Sequence, residues 1–133
     1  MTVPGYLAIA RAAQDASMTA TCTITRAVAG RTFNKATGTY TDPEPVTVYA
    51  GRCKVKSTAR AVAEVEAGEQ HVAVLDLALH LPIEGTGDVR RDDVARIDTN
   101  PDDPALVGRD FVVQAGDQGT TKTARRLPVE DVA

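Results

Sequence analysis

The sequence predicts a mainly β protein, a small antiparallel β-barrel or sandwich of about seven strands with one N-terminal α-helix. Three observations carry that expectation. Apolar and polar residues alternate with a period of two through most of the chain, as in strands with one buried face. Gly and Pro separate these runs, as they do between short antiparallel strands. A single segment near the N-terminus has the composition of a helix instead. The 133 residues suit one domain, residues 1–133, with the helix at about 5–17 and the barrel at about 18–130.

In GYLAIARAAQDAS, Leu7, Ala10, Ala13 and Gln14 recur at helical spacing, and Ile9 and Ala13 stand one turn apart. Pro4 suits a first helical turn. From Met18 the period changes: Met18, Ala20, Cys22, Ile24 and Val28 share one face, and threonines fill the other. RTFNKATGTYTD reads as a hairpin turning at Ala36-Thr37-Gly38, with Phe33 and Tyr40 on its arms. In VTVYAGRCKVK, Tyr49, Gly51, Cys53 and Val55 face one way, and Arg52, Lys54 and Lys56 the other.

Ser57 to Glu69 shows no strand period and is expected to be a short helix or an excursion ended by Gly68. QHVAVLDLALHL is the clearest strand, with Ala73, Leu75, Leu77, Leu79 and Leu81 inward and Asp76 and His80 outward. After a turn at Gly85 to Gly87 come short strands at Val94 to Ile97 and in DFVVQAG. The last strand, TTKTARRLPV, places Thr121, Thr123, Arg125, Leu127 and Val129 on one face.

The aromatic fraction is only 4% and there is no Trp, so aliphatic residues must fill a modest core. A net charge of -3, with both signs interleaved, gives no global field to draw the chain onto nucleic acid. The clusters Arg52, Lys54, Lys56, Arg60 and Lys122, Arg125, Arg126 lack stacking aromatics, which favours solubility and subunit contacts over phosphate binding. No apolar run approaches the roughly 18 to 20 residues that cross a bilayer. Residues 1–13 lack the features of a signal peptide, so the expected place of synthesis is the host cytoplasm.

Catalytic and metal-binding patterns are missing. His71 and His80 have no partners at ligand spacing. Cys22 and Cys53 sit on apolar strand faces, where buried thiols act as small hydrophobes. The pairs Asp92-Asp93, Asp102-Asp103 and Glu130-Asp131 read as solvated acids. GTGD lacks the third glycine of a dinucleotide loop, and no GxSxG or Walker sequence occurs. The expectation is no catalytic, cofactor-binding or metal residue.

The order of features carries a resemblance. VYAGRCKV, the LP–GDV–DDV stretch from Leu81 to Val94, GRDFVV and the RRLPVE ending resemble the head-to-tail stopper, or head-closure, proteins of siphophages infecting actinobacteria, across essentially the whole chain. That resemblance implies a structural virion protein at the neck. Six copies would form a ring between the portal or head–tail adaptor and the tail terminator or tail tube. The ring would retain packaged double-stranded DNA, dock the tail, and let DNA pass without reading its sequence. It implies no enzyme, cofactor or membrane. It also implies that an extending loop faces the channel or the next ring; for Ser57 to Glu69, Arg60, Glu64, Glu66 and Glu69 would be the contact residues. The alternatives are a tail terminator or another neck ring protein, and less readily a small ligand-binding β-barrel.

Overall fold

Alternation in β1 (Ala20–Arg26) is realised residue by residue: Ala20, Cys22 and Ile24 are buried and the threonines between them are half-exposed. The computed structural model describes residues 5–61 and 73–132. β1 pairs on one side with β4 (Val46–Ala61) and on the other with β6 (Val94–Thr99). With β5 (Ala73–Leu81), β7 (Asp110–Val113) and β8 (Arg125–Asp131) it closes an antiparallel barrel of order β1-β4-β5-β8-β7-β6. In that circle β4 lies across from β7. The short strands β2 (Thr32–Asn34) and β3 (Thr39–Thr41) form a separate two-stranded hairpin. The architecture is therefore a barrel and not a sandwich, with six strands in its wall.

Ile24, Leu79, Leu81, Ile97, Phe111, Val113 and Leu127 fill the interior together with Cys22 and Cys53. Each buried aliphatic or aromatic side chain contributes about 1.5–3 kcal/mol relative to exposure. The filled interior is what a small barrel allows, since few strands leave room only for side chains. Gly51 is required by close approach: a Cβ there would meet Tyr49 Oη at 2.8 Å, and that hydroxyl donates to the Arg52 carbonyl at 2.8 Å.

The helix α1 (Gly5–Ser17) has the expected bounds. Its packed side is Leu7, Ala10, Arg11, Gln14 and Asp15; Ala13 falls on the exposed side with Ile9. Polar ties hold it against the barrel. Arg11 Nε donates to the Lys122 carbonyl at 3.0 Å, and Lys54 Nζ donates to Ser17 Oγ at 3.1 Å. Among the described residues no helix is long and apolar enough to cross a membrane.

Three boundaries differ from the sequence pattern. Val28 lies beyond β1 and is exposed, because the chain leaves the barrel after Arg26. β8 begins at Arg125, so Thr121 and Thr123 belong to the preceding turns. β4 continues to Ala61, so the first residues of the Ser57 to Glu69 segment are strand.

Both thiols are buried and free. The neighbouring Cys53 thiol together with burial holds the Cys22 thiol far above its ordinary range. A thiol so raised lacks the thiolate character of a nucleophile. Cys22→Ser and Cys53→Ser should each lower unfolding free energy by about 1 to 3 kcal/mol, since a hydroxyl is costlier to bury than a thiol. Urea titration measures this, and a loss below a few tenths of a kcal/mol would contradict the core placement.

Candidate functional site

Two elements leave the barrel. The first continues the β4–β5 ladder. β1 accompanies β4 only as far as Ala20↔Cys53, and β8 joins β5 only from Leu77↔Val129. The rungs from Thr58↔Asp76 to Ala61↔Ala73 therefore form a two-stranded extension. Arg60 sits in it opposite Val74. Glu64, Glu66 and Glu69, like His71, lie outside the described residues.

The second is the β2–β3 hairpin, joined to the Arg26 end of β1 and the Val46 end of β4. Because β4 runs from that end toward Ala61, the hairpin and the extension leave opposite ends of one strand. The Gly38 N–H closes the turn on the Asn34 carbonyl at 2.9 Å, with Gly38 at φ 68° where an L side chain is disfavoured. Phe33 and Tyr40 stack at 5.0 Å between centroids, yet remain 48% and 66% exposed. In a chain so poor in aromatics, this pair is spent on the exposed hairpin and not on the core.

The base of the hairpin is pinned by a buried acid. Arg26 Nε and Nη2 reach the two Asp93 carboxylate oxygens at 2.8 and 2.9 Å, and Arg26 Nη2 also donates to the Asp88 carbonyl at 2.7 Å. Asp93 is 1% exposed, so it is not the solvated loop acid its neighbourhood suggests. Burial alone would push its carboxyl up; Arg26 and the Arg90 N–H outweigh burial and hold it below the ordinary range. Three of the other paired acids also have partners. Asp102 accepts from Thr19, Asp103 caps the 3-10 turn Pro104–Leu106, and Asp131, in β8, pairs with Arg109. Sequence reasoning also missed Thr86: its buried hydroxyl donates to the Pro82 carbonyl and accepts from Arg125 Nε.

On the outer wall, the ladder sets Lys54, His80 and Arg126 side by side across β4, β5 and β8. His80 faces outward but is only 6% exposed. Burial, reinforced by Lys54, Arg126 and Lys56, lowers its pKa to about 4. Among the described residues no group of three or more His, Cys, Asp or Glu could hold a metal ion. Two recesses in the surface are open grooves. One is lined by Thr23, Thr25, Val94, Arg96, Asp98 and Asp110 on β1, β6 and β7. Another lies over β5 and β8 around Ala78, Arg126 and Pro128.

A family model described as a family of unknown function, DUF6093, matches residues 10–130. The chain belongs to that family. The matched span takes in the whole barrel wall apart from the last residue of β8, the hairpin, and the helix from Ala10 onward. No curated protein matches the chain.

The acid response of this DUF6093 member follows from these groups. The folded chain favours neutral His80, so its contribution is full above pH 6.5 and is lost as pH falls from 6.5 to about 4. Asp93 and Asp117 are held below 3.8, so their contributions are lost only as pH falls further. Urea midpoints across this range should drop in two stages, and His80→Gln should flatten the upper stage alone. An unchanged upper stage in His80→Gln would contradict the assignment.

Proposed function

We propose that the chain is a structural virion subunit, one copy of a head-to-tail connector (stopper) ring in a long-tailed phage. In this reading six copies close the DNA-filled head at the neck, retain the genome and dock the tail. The observation that carries it is the placement of two contact elements at opposite ends of one strand in a filled barrel. The exposed aromatic hairpin stands at one end and the two-stranded extension at the other. Such a body suits a part that engages one neighbouring assembly above and another below: the portal or adaptor on one side, the tail terminator or tail tube on the other.

Further features agree. The filled interior argues against a ligand-binding barrel, so DNA would pass through the centre of the ring and not through a subunit. The motifs that carry the stopper resemblance occupy structural positions: VYAGRCKV lies in β4, GRDFVV leads through β7, and RRLPVE is β8. A small subunit with a thin core gains stability from neighbours, so the isolated chain should be monomeric or weakly associated in dilute solution.

Disrupting the coding sequence in a phage that carries it should abolish infectious particles, leaving heads that lose their DNA and tails that stay unattached. Tailed, infectious particles at normal yield would overturn the proposal. DNA-retaining heads beside tails of irregular length would assign the chain to the tail terminator instead. Replacing residues 58–68 with a short Gly-Ser linker should leave the barrel folded by circular dichroism and remove infectivity. Full infectivity of that variant would exclude the extension as a working surface.

A further inference from the structure

Strand β4 contains basic residues and no acidic ones: Arg52, Lys54, Lys56 and Arg60. Cys53 and Val55 turn inward, so Arg52, Lys54 and Lys56 share the outer side. Arg52 and Lys56 are exposed there, while Lys54 is half-buried with its ammonium on Ser17. Round the wall from β4, beyond the pairing of β4 with β1, lies the groove of β1, β6 and β7, centred on β6 two strands away. Its Arg96 is engaged by Asp110 at 2.9 Å. Asp98, held by the Thr23 hydroxyl at 2.6 Å, leaves the groove with an excess negative charge. Asp102, held by Thr19, extends the acidic side past the end of β6.

We infer that these two sides are complementary halves of one contact between copies of this chain: the basic stripe of β4 in one copy seats in the threonine–aspartate groove of the next. The inference rests on the ring reading above and names the surface that builds the ring. Two different, complementary patches set at an angle round a subunit make a head-to-tail contact, the kind that closes into rings. Opposite charges in register select that neighbour over a copy presented the wrong way round, where like charges would meet. Val94, half-buried in the groove, supplies only a small apolar centre. The contact is therefore mainly electrostatic, weak for a free pair, and weakened by salt.

Two variants test it, each checked for fold by circular dichroism. Arg52→Glu with Lys56→Glu makes the stripe acidic, and Asp98→Lys with Asp110→Asn makes the groove basic. Sedimentation of the concentrated wild-type chain at low salt should show association that weakens as salt rises. Each variant alone should associate at least about tenfold more weakly, or about 1.4 kcal/mol. Mixed in equal amounts, the two should recover association and grow past dimers, because each presents what the other lacks. A mixture that remains monomeric, or stops at dimers, overturns the inference. Self-association indifferent to both variants places the ring contact elsewhere, overturning this inference while the connector reading stands or falls on the particle experiment. Loss of duplex-DNA affinity in Arg52→Glu/Lys56→Glu, with wild-type self-association, would turn the stripe toward the lumen and likewise overturn it.

Discussion

Everything in this molecule depends on one seam, the pairing of β1 with β6 that turns a strip of strands into a closed barrel. Residues far apart in the chain must meet there, at a large cost in chain entropy before any contact repays it. The seam is reinforced from outside along its length. Thr19 reaches Asp102, Thr21 meets Thr99 at 2.7 Å, and Thr23 reaches Asp98. Just past the last rung, Thr25↔Val94, the Arg26–Asp93 ion pair closes the row. Surface hydrogen bonds of this kind are individually modest. Strung along a closing seam they also fix its register, and a one-residue slip would turn Cys22 and Ile24 out of the core.

That seam explains the distribution of polar chemistry. The buried Asp93 carboxylate sits where the chain changes direction, paired with the partly exposed Arg26. Threonine dominates the outside of β1 because a β-branched residue favours strand and its hydroxyl can lace to the neighbouring strand. Aromatics are divided in a telling way. Phe111 is the largest side chain of the core, while Phe33 and Tyr40 stand outside on a hairpin whose short strands bury almost nothing of their own. A lone two-stranded hairpin is marginal in water, so this one draws on its closed turn and on the Phe33–Tyr40 contact.

How far the sequence was legible follows from what a core does to a pattern. Where a strand faces the barrel interior, as in Ala20–Arg26 or Asp110–Val113, alternation marks it clearly. Beyond Ser57, β4 continues its pairing with β5, but Ser-Thr-Ala-Arg-Ala has no alternation of apolar and polar residues, so it lacks the strand signal while keeping the strand. Asp93 was illegible for the opposite reason. A loop acid is usually solvated, and only the distant Arg26 at a strand end makes this one buried. The helix bounds were readable from composition, but which side it packs was set by ties from Arg11 and Ser17 to barrel groups far along the chain. The placing of the acidic groove two strands round the wall from β4 was also hidden, because it depends on the order of strands around the circle.

The length of β4 has a mechanical consequence. Its 16 residues, at about 3.3 Å each, give a contour of about 50 Å. The strand runs unbroken from the foot of the hairpin to the last described rung of the extension. Tension applied along it would load the ladders to β1 and β5 in shear, many bonds at once, and would not peel them one by one. A pull or push at one end is thus delivered to the other with little give in between. The barrel is threaded by one continuous strand that couples its two ends mechanically.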